Sequence, residues 1–231
     1  MMTRRREVLL SAAAIAAAGS LRAPAIAQGI KELKLVTSWP KGLRGMDTSV
    51  ERLAQSITAM SDGRLKVTVY PADTLVRAFE VFDAVAAGVA DMYHTDEKYF
   101  QSKSPALNFF SSVPYGLTAD EVCSWIDFGG GQALWDEVDA QFNIKPLMAF
   151  NAGVQMGGWF RKQVNTPEDF KGLRYRMPEL GAEVLRRMGA IVVTTPGSEI
   201  LTALKSGAID GSEWVGPWLD MDLGLDKVTD Y

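Results

Sequence analysis

The sequence is poor in two residue types that often build metal sites and catalytic triads. Its 231 residues include one cysteine, Cys123, and one histidine, His94. A lone cysteine cannot form a disulfide within the chain, which excludes a disulfide scaffold. The same scarcity excludes a zinc site of clustered cysteine and histidine ligands. Any Ser-His-Asp or Cys-His catalytic machinery would have to use His94.

Basic residues are fewer than acidic residues. Lysine and arginine together number 24 against 28 acidic residues, which gives a formal net charge of −4. A nucleic-acid-binding protein needs a basic face, so we expect no nucleic-acid partner. Hydrophobic residues make up 47% of the chain, enough for a sizeable core and for two lobes.

The N-terminal segment has the pattern of an export signal. Three arginines at residues 4–6 precede an apolar run at residues 8–18 that is too short to span a bilayer. Residues 25–27 read Ala-Ile-Ala, which fits the A-x-A cleavage pattern. We therefore expect residues 1–27 to be a signal peptide and the mature protein to lie in the periplasm. The Arg5-Arg6 pair resembles a twin-arginine signal, and the alternative is a membrane-anchoring N-terminal helix.

Strand and helix patterns alternate after this segment. Residues 32–38 and 65–70 have the character of strands. Thr48 and Glu51 form a capping box at the start of a helical pattern, and residues 79–86 give a second one that ends at Gly88. This βαβα order predicts an α/β fold with a mostly parallel sheet.

The second half of the chain continues the alternation. Thr118 and Glu121 form another capping box, so we expect a helix from Ala119. The three glycines at 129–131 lie between two helical patterns rather than after a strand, which predicts a turn and not a dinucleotide-binding loop. Further strands are predicted at residues 144–150, 155–160, 173–177 and 191–194, and further helices at residues 181–188 and 199–206.

Four segments resemble the solute receptors of TRAP transporters, the tripartite ATP-independent periplasmic systems. They are SWPKG at 38–42, GVQMGGWFRK at 153–162, KGLRYRMP at 171–178 and ALKSGAIDGSEWVGP at 203–217. The four segments occur in the family's order, and the likeness runs over nearly all of residues 32–231. The most similar branch is that of receptors for 2-oxo acids, lactate and similar small carboxylates.

The resemblance implies a bilobed α/β fold like that of other periplasmic binding proteins, with two sheet-plus-helix lobes joined by a hinge. We expect lobe I at residues 28–153, a partial lobe II at residues 154–209, and a return segment to lobe I and the hinge at residues 210–231. Chains of the family usually run well past residue 231, so the second lobe is expected to be incomplete. The dimerisation of some relatives uses a C-terminal helix and cannot be transferred.

The resemblance also implies a function and a set of site residues. The receptor would close over a small organic acid and deliver it to a membrane permease. Arg176 would pair with the carboxylate, while Gln155, Glu213 and the backbone carbonyl of Trp214 would hold a bridging metal ion. A guanidinium matches the two oxygens of a carboxylate. Oxygen ligands of this kind suit Na⁺ or Ca²⁺, and a cation would relieve the repulsion between Glu213 and an anionic ligand.

Three aromatic and amide side chains complete the predicted pocket. Tyr99 corresponds to a ligand-contacting tyrosine of the family, and Asn151 and Trp159 are weaker candidates for a hydrogen bond and an apolar wall. The segment at 94–99 departs from the family's pattern, because it reads His-Thr-Asp-Glu-Lys-Tyr where relatives have His-Thr-Ala-Ser-Tyr-Tyr. Three charges therefore replace small and aromatic residues beside the pocket, and the identity of the acid stays open.

Each candidate has a structural alternative. Arg176 could be an ordinary ion-pair partner, Glu213 could sit at a helix start, and Gln155 could be a solvated strand residue. Trp214 and Trp218 could form a core stripe at helical spacing. His94 is expected to be a structural hydrogen-bonding residue rather than a catalyst.

Two other functions are alternatives to a binding protein without catalysis. One is an exported hydrolase or isomerase that uses Glu213 or Asp210 as a base, although the sequence lacks a nucleophile elbow and a metal-binding histidine pair. The other is a truncated receptor that folds in part and binds nothing.

Overall fold

The computed structural model of the chain describes residues 29–231 and shows a bilobed α/β architecture. The predicted export signal at residues 1–27 lies outside these residues. The first lobe contains β1 (Lys31–Thr37), α1 (Met46–Met60), β2 (Leu65–Tyr70), α2 (Val81–Ala86), β3 (Met92–His94), α3 (Ala119–Phe128) and α4 (Gly131–Ala140). The rest of the chain contains β4 (Trp159–Phe160), β5 (Arg174–Arg176), α5 (Glu179–Arg187), β6 (Ile191–Val193), α6 (Gly197–Ser206), β7 (Gly211–Ser212) and α7 (Pro217–Asp220). Short 3₁₀ helices lie at Glu97–Phe100, Pro105–Phe110, Pro167–Phe170 and Leu225–Lys227.

The first sheet is fully parallel, with strand order β2-β1-β3. Leu35 in the central strand is aligned with Val69 on one side and Met92 on the other. Since parallel strands need crossover connections, α1 and α2 link them as the βαβα order predicts. The two predicted strands of this region are confirmed.

The predicted start of α1 is wrong. The helix begins at Met46, and its N-cap is Gly45, whose backbone has a φ of 76°. Thr48 is therefore the third helical residue, and its hydroxyl accepts a hydrogen bond from the Gly45 N–H at 3.1 Å. The capping box of α3 is confirmed, because the Thr118 hydroxyl accepts from the Glu121 N–H and the Glu121 carboxylate accepts from the Thr118 N–H. The predicted glycine turn is confirmed too, with Gly130 left-handed between α3 and α4.

The second sheet has the order β4-β7-β5-β6 and is parallel except for the β4–β7 pair. The predicted strands at 173–177 and 191–194 correspond to β5 and β6, and the predicted helices at 181–188 and 199–206 correspond to α5 and α6. Strand β7 belongs to this sheet although it lies beyond residue 209, the predicted end of lobe II. The lobe boundaries remain predictions.

Two predicted strands are wrong. Residues 144–150 form no strand, and of residues 155–160 only Trp159 and Phe160 pair in a sheet. Pro146 has no N–H for a strand ladder, and its carbonyl accepts from the Gln132 side chain instead. In the next stretch Gly153 and Gly158 have φ values of 76° and 138°, which are not strand conformations.

One hydrophobic core combines residues from the first sheet's half of the chain with residues beyond 199. This core contains Leu35, Trp39, Leu43, Met46 and Val50 from the first lobe and Ile200, Leu204, Ile209, Trp214, Val215, Leu219 and Leu225 from the rest of the chain. Parallel α/β sheets bind ligands at the carboxyl ends of their strands. Across residues 29–231, no helix combines the length and apolar character that a membrane crossing requires.

Candidate functional site

Arg176 is the last residue of β5, and the sheet places it in the interior at the carboxyl end of that strand. Arg176 is 1% exposed. Nη1 donates to the Glu213 carboxylate oxygen Oε2 and to the Glu213 backbone carbonyl, both at 2.8 Å, and Nε donates to the Thr195 carbonyl at 3.1 Å. Nη2 has no partner of good hydrogen-bond geometry within the described part of the chain, although the Tyr99 hydroxyl lies near enough to the guanidinium to raise its pKa through a hydrogen bond. The Nη2 edge of the guanidinium therefore faces toward Tyr99 with a donor that the protein satisfies poorly.

Glu213 and Trp214 follow β7, which pairs directly with β5, and this register brings them to Arg176. Burial raises the pKa of the Glu213 carboxyl, although the charges of Arg176 and Lys98 oppose that shift. The Trp214 ring lies under the guanidinium, with 5.2 Å between the Arg176 Cζ atom and the ring centroid. A cation over an indole is attracted by the ring quadrupole, so Trp214 also supports the charge of Arg176.

Gln155 reaches the same group from the segment before β4. Its Nε2 donates to the Trp214 backbone carbonyl at 3.2 Å. Of the predicted oxygen donors, the Gln155 amide and the Trp214 carbonyl are therefore in contact, and the Glu213 carboxylate of the neighbouring residue is held by Arg176. Among residues 29–231 no group of three His, Cys, Asp or Glu side chains could hold a metal ion. The set here is of another kind, with one carboxylate, one amide and one peptide oxygen, and such hard oxygens fit Na⁺ or Ca²⁺.

Tyr99 approaches from the first lobe, within the 3₁₀ helix that follows β3. Burial lowers the pKa of the Arg176 guanidinium, whereas the neighbouring Tyr99 and Glu213 raise it. The net shift of the pKa is upward. The Tyr99 ring packs edge-on against Trp39, which also contacts Trp214. Tyr99 and Trp39, from the first half of the chain, therefore lie beside the Arg176–Trp214 pair.

Two weaker candidates lie outside this group. The exposed Asn151 donates from Nδ2 to the Ala119 carbonyl at 3.4 Å, and its Oδ1 accepts from the Gly153 N–H at 2.8 Å. Trp159 donates from its indole N–H to Asp220 at 2.7 Å and packs against the shared core. The structure thus gives both side chains partners other than Arg176, Glu213, Gln155 or Tyr99.

The three charges that depart from the family's pattern turn inward in different directions. Lys98 Nζ forms an ion pair with Asp96 at 2.6 Å and lies 5.8 Å from the centroid of the Tyr99 ring. Burial lowers the pKa of Lys98, whereas Asp96, Tyr99 and Glu213 raise it to a net upward shift. Glu97 instead accepts a hydrogen bond from the Tyr93 hydroxyl at 2.8 Å. Lys98 therefore adds a second buried cation near the site, while Glu97 points away from it.

Glu179 is a buried carboxyl near Arg176 and Lys98 that the sequence analysis did not single out. It is the first residue of α5, 4% exposed, with a left-handed backbone at φ 44°. Burial raises the pKa of its carboxyl to about 8, which Lys98 and Arg176 oppose and Asp96 and Glu213 reinforce. Only its position three residues after Arg176 could have signalled this environment, since nothing in a sequence marks a glutamate as left-handed.

His94 and the two candidate catalytic bases, Asp210 and Glu213, each have a partner within the protein. His94 Nδ1 accepts a hydrogen bond from the Trp39 indole N–H at 2.7 Å, and burial lowers the pKa of His94 to about 4. This contact confirms the expected structural role. Asp210 forms an ion pair with Arg174 at 2.6 Å, and Glu213 is bound to Arg176.

Comparison with known proteins agrees with this geometry. The sequence model of the DctP family, described as bacterial extracellular solute-binding protein, family 7, matches residues 39–231. A monocarboxylate 2-oxoacid-binding periplasmic protein of Nostoc sp. is 41% identical over 236 residues, which cover 99% of this chain and 65% of the relative.

Solved structures give the same likeness. A TRAP periplasmic solute-binding protein of Pseudoalteromonas atlantica, with bound sodium and pyruvate, is 38% identical at a TM-score of 0.83, covering 86% of this chain and 60% of that one. Another from Colwellia psychrerythraea, with bound calcium and pyruvate, is 36% identical at a TM-score of 0.83, covering 86% and 61%. The chain spans less than two thirds of the length of these relatives.

Proposed function

Because the chain belongs to family 7 of the bacterial extracellular solute-binding proteins, we propose that it is the periplasmic receptor of a TRAP transporter. It binds a small organic acid, a 2-oxo acid, lactate or a similar carboxylate, and delivers it to a membrane permease. The family consists of solute-binding proteins of transport systems and not of enzymes. The observation that carries the proposal is the buried Arg176 guanidinium, whose Nη2 lacks a partner of good hydrogen-bond geometry among the described residues.

Arg176 binds the carboxylate of the acid through that donor. A buried donor without a partner costs about 1–3 kcal/mol, and more when it is charged, so the ligand removes a penalty that the protein carries by itself. The contact of Nη1 with Glu213 fixes the direction of the guanidinium before the ligand arrives. The site is therefore preorganised for a carboxylate.

Gln155, Glu213 and the Trp214 carbonyl hold the bridging cation. A bound Na⁺ or Ca²⁺ supplies positive charge between the Glu213 carboxylate and the carboxylate of the acid. In the structure the Gln155 amide nitrogen faces the Trp214 carbonyl, so rotation of the amide presents its oxygen to the same place. Gln155 then changes from a hydrogen-bond donor to an oxygen ligand.

Lobe closure completes the site. Tyr99 and Lys98 come from lobe I, at residues 28–153, whereas Arg176 comes from lobe II, at residues 154–209. The segment at residues 210–231 supplies Glu213 and Trp214 and leads back toward the hinge. Closure excludes water from the ion pair and strengthens it, and the closed form is the state that a permease recognises as loaded.

Export of the chain to the periplasm uses residues 1–27 by the twin-arginine route.

Calorimetric titration of the full chain with pyruvate and lactate, in the presence of Na⁺ or Ca²⁺, tests the proposal. Arg176→Lys keeps the charge but removes the fork, so we expect affinity to fall by about tenfold to a hundredfold, or about 1.5–3 kcal/mol. Arg174→Lys is the matched control, because Arg174 lies in the same strand with a side chain 45% exposed. Binding unaffected by Arg176→Lys contradicts the proposal, and no binding of any acid favours a receptor fragment that binds nothing.

A further inference from the structure

Glu179 combines three features that an ordinary helix-start residue does not need. Its residue is 4% exposed, its backbone is left-handed at φ 44°, and its Oε2 has no hydrogen-bond partner within residues 29–231. Building on the proposed function, we infer that Glu179 determines the specificity of the receptor. Its carboxyl accepts a hydrogen bond from a hydroxyl or ammonium group that the ligand carries beside the carboxylate bound by Arg176.

The backbone conformation is the first argument. A left-handed φ is unfavourable for a residue with a Cβ, and such strain persists where the surrounding structure fixes it, often at a binding site. Glu179 follows Pro178, whose own backbone is extended, and begins α5 directly after the strand that carries Arg176. The strained turn therefore directs the side chain of Glu179 inward, three residues from the anchor of the acid.

The charges around the site are the second argument. Two buried cations face four carboxyl groups. Lys98 pairs with Asp96, Arg176 pairs with Glu213, and Asp220 accepts hydrogen bonds from Trp159 and two backbone N–H groups, which leaves Glu179 as the carboxyl with an oxygen unpaired by the described residues. It lies close enough to both pairs to interact with all four of their charges. A carboxyl in this position is complementary to a group that donates a hydrogen bond, with or without a positive charge.

The ligand class follows from these two features. Above its pKa of about 8 the Glu179 carboxylate accepts hydrogen bonds only, so a plain 2-oxo acid such as pyruvate, which offers acceptors alone, leaves Oε2 unpaired there. A short acid with a hydroxyl or an amino substituent pairs with Arg176 at one end and with Glu179 at the other. Sites built to bind such a donor discriminate strongly against the analogue that lacks it, because their buried acceptor is then left without a partner.

Two other roles for Glu179 make different predictions. If it served the helix alone, through the favourable field at the start of α5, its replacement would change stability and leave ligand preference unchanged. If it acted with Lys98 as a contact that holds the lobes closed, its replacement would weaken every acid by the same factor. Ligand preference therefore separates specificity from both alternatives.

The test is a titration at pH 9, where Glu179 is ionised, of the full chain and of its Glu179→Gly variant with pyruvate, lactate, hydroxypyruvate and alanine, in Na⁺ and in Ca²⁺. Glycine accepts the left-handed backbone, so this variant should fold with an unchanged or higher melting temperature. We expect at least one donor-bearing acid to bind the wild type about tenfold or more tightly than pyruvate. In the glycine variant that ratio should fall by about tenfold while pyruvate affinity is kept.

Two more variants sharpen the result. Glu179→Gln keeps a carbonyl acceptor and should retain preference for a hydroxyl while losing preference for an ammonium group. Glu183→Gln is the control, since Glu183 lies in the same helix with a side chain 51% exposed. An unchanged ratio in Glu179→Gly, equal weakening of all acids, or a wild type that favours pyruvate overturns the inference. Failure to bind any of the acids overturns the proposed function with it.

Discussion

Neighbouring residues of one short segment lie in two contrasting buried environments. Asp96 and Lys98 form an ion pair beside the ligand site, whereas Glu97 points into the interior of the first lobe toward Tyr93 and Asp139. Burial raises the pKa of Asp96, but Lys98 and further hydrogen bonds bring it to a net downward shift. In the lobe interior, burial and the charge of Asp139 together raise the pKa of Glu97 to about 8.

The difference shows that neighbouring cations oppose the effect of burial to different extents: Lys98 brings the pKa of Asp96 below its ordinary value, whereas Arg176 and Lys98 leave the pKa of Glu213 raised. Glu213 has Arg176, and Asp96 has Lys98. No cation is among the groups that shift the pKa of Glu97 or Asp139. Lys98 and Arg176 therefore oppose the effect of burial on the carboxyl groups around them, while Glu97 and Asp139 in the first lobe have no cation among the described residues that does so.

Removing the cation from the site should have the largest effect on stability. Arg176→Met leaves Glu213 buried and unpaired, which we expect to lower the free energy of unfolding by about 3–5 kcal/mol in denaturant titrations at pH 7. The added change Glu213→Gln should restore part of that loss. The partly exposed Arg174–Asp210 pair of the same strand is the comparison, and Arg174→Met should cost about 1 kcal/mol or less. Equal losses for the two variants would show that burial adds nothing to the site pair.

Neutralising Glu97 should have a smaller and opposite effect. A carboxyl with a pKa of about 8 in the folded state and an ordinary pKa of about 4.3 when unfolded binds more protons when folded. The stability of the wild type should therefore fall as pH rises from about 4.3 to 8. Glu97→Gln keeps an acceptor for the Tyr93 hydroxyl and should raise the free energy of unfolding at pH 9 by about 1–3 kcal/mol, with no gain at pH 4. A gain of the same size at both pH values would exclude this ionisation as the cause.

Asp139 should show the same behaviour more weakly. Burial raises its pKa to about 6, and the Trp135 side chain opposes the shift. Asp139→Asn should therefore flatten the loss of stability between about pH 4 and pH 6 alone, by about 1 kcal/mol. Melting temperatures measured across this range will show the effect. A variant whose pH profile remains parallel to that of the wild type would contradict the assignment.

Much of the secondary structure was predictable from the sequence, and some of it was not. Alternation and capping predicted β1, β2 and the start of α3, because local chemistry determines those elements. The predicted start of α1 was wrong because Gly45 caps the helix instead of Thr48. The predicted strand at 144–150 was wrong, since Pro146 has no N–H to pair, and of the predicted strand at 155–160 only Trp159 and Phe160 pair, after the positive-φ Gly158.

The site was predictable where it depends on motifs. The resemblance identified Arg176, Glu213, Gln155 and Trp214, which the structure brings together, and Tyr99, which approaches them from the other lobe. It gave no information about Glu179, whose importance depends on backbone conformation and on an unpaired oxygen. Nor could it show that Asp96, Glu97 and Lys98 turn in different directions, since that depends on packing between β3, α4 and the second lobe.

The central claim is that the guanidinium of Arg176 and a hard cation jointly bind one small acid. The most direct measurement is the calorimetric dissociation constant of the full chain for pyruvate, lactate, hydroxypyruvate and alanine, with Na⁺, with Ca²⁺, and with choline as the only cation. We predict that Na⁺ or Ca²⁺ strengthens binding of the preferred acid by about tenfold or more and that Gln155→Ala removes this gain. Affinity that is equal in choline, or a cation effect unchanged by Gln155→Ala, would contradict the account.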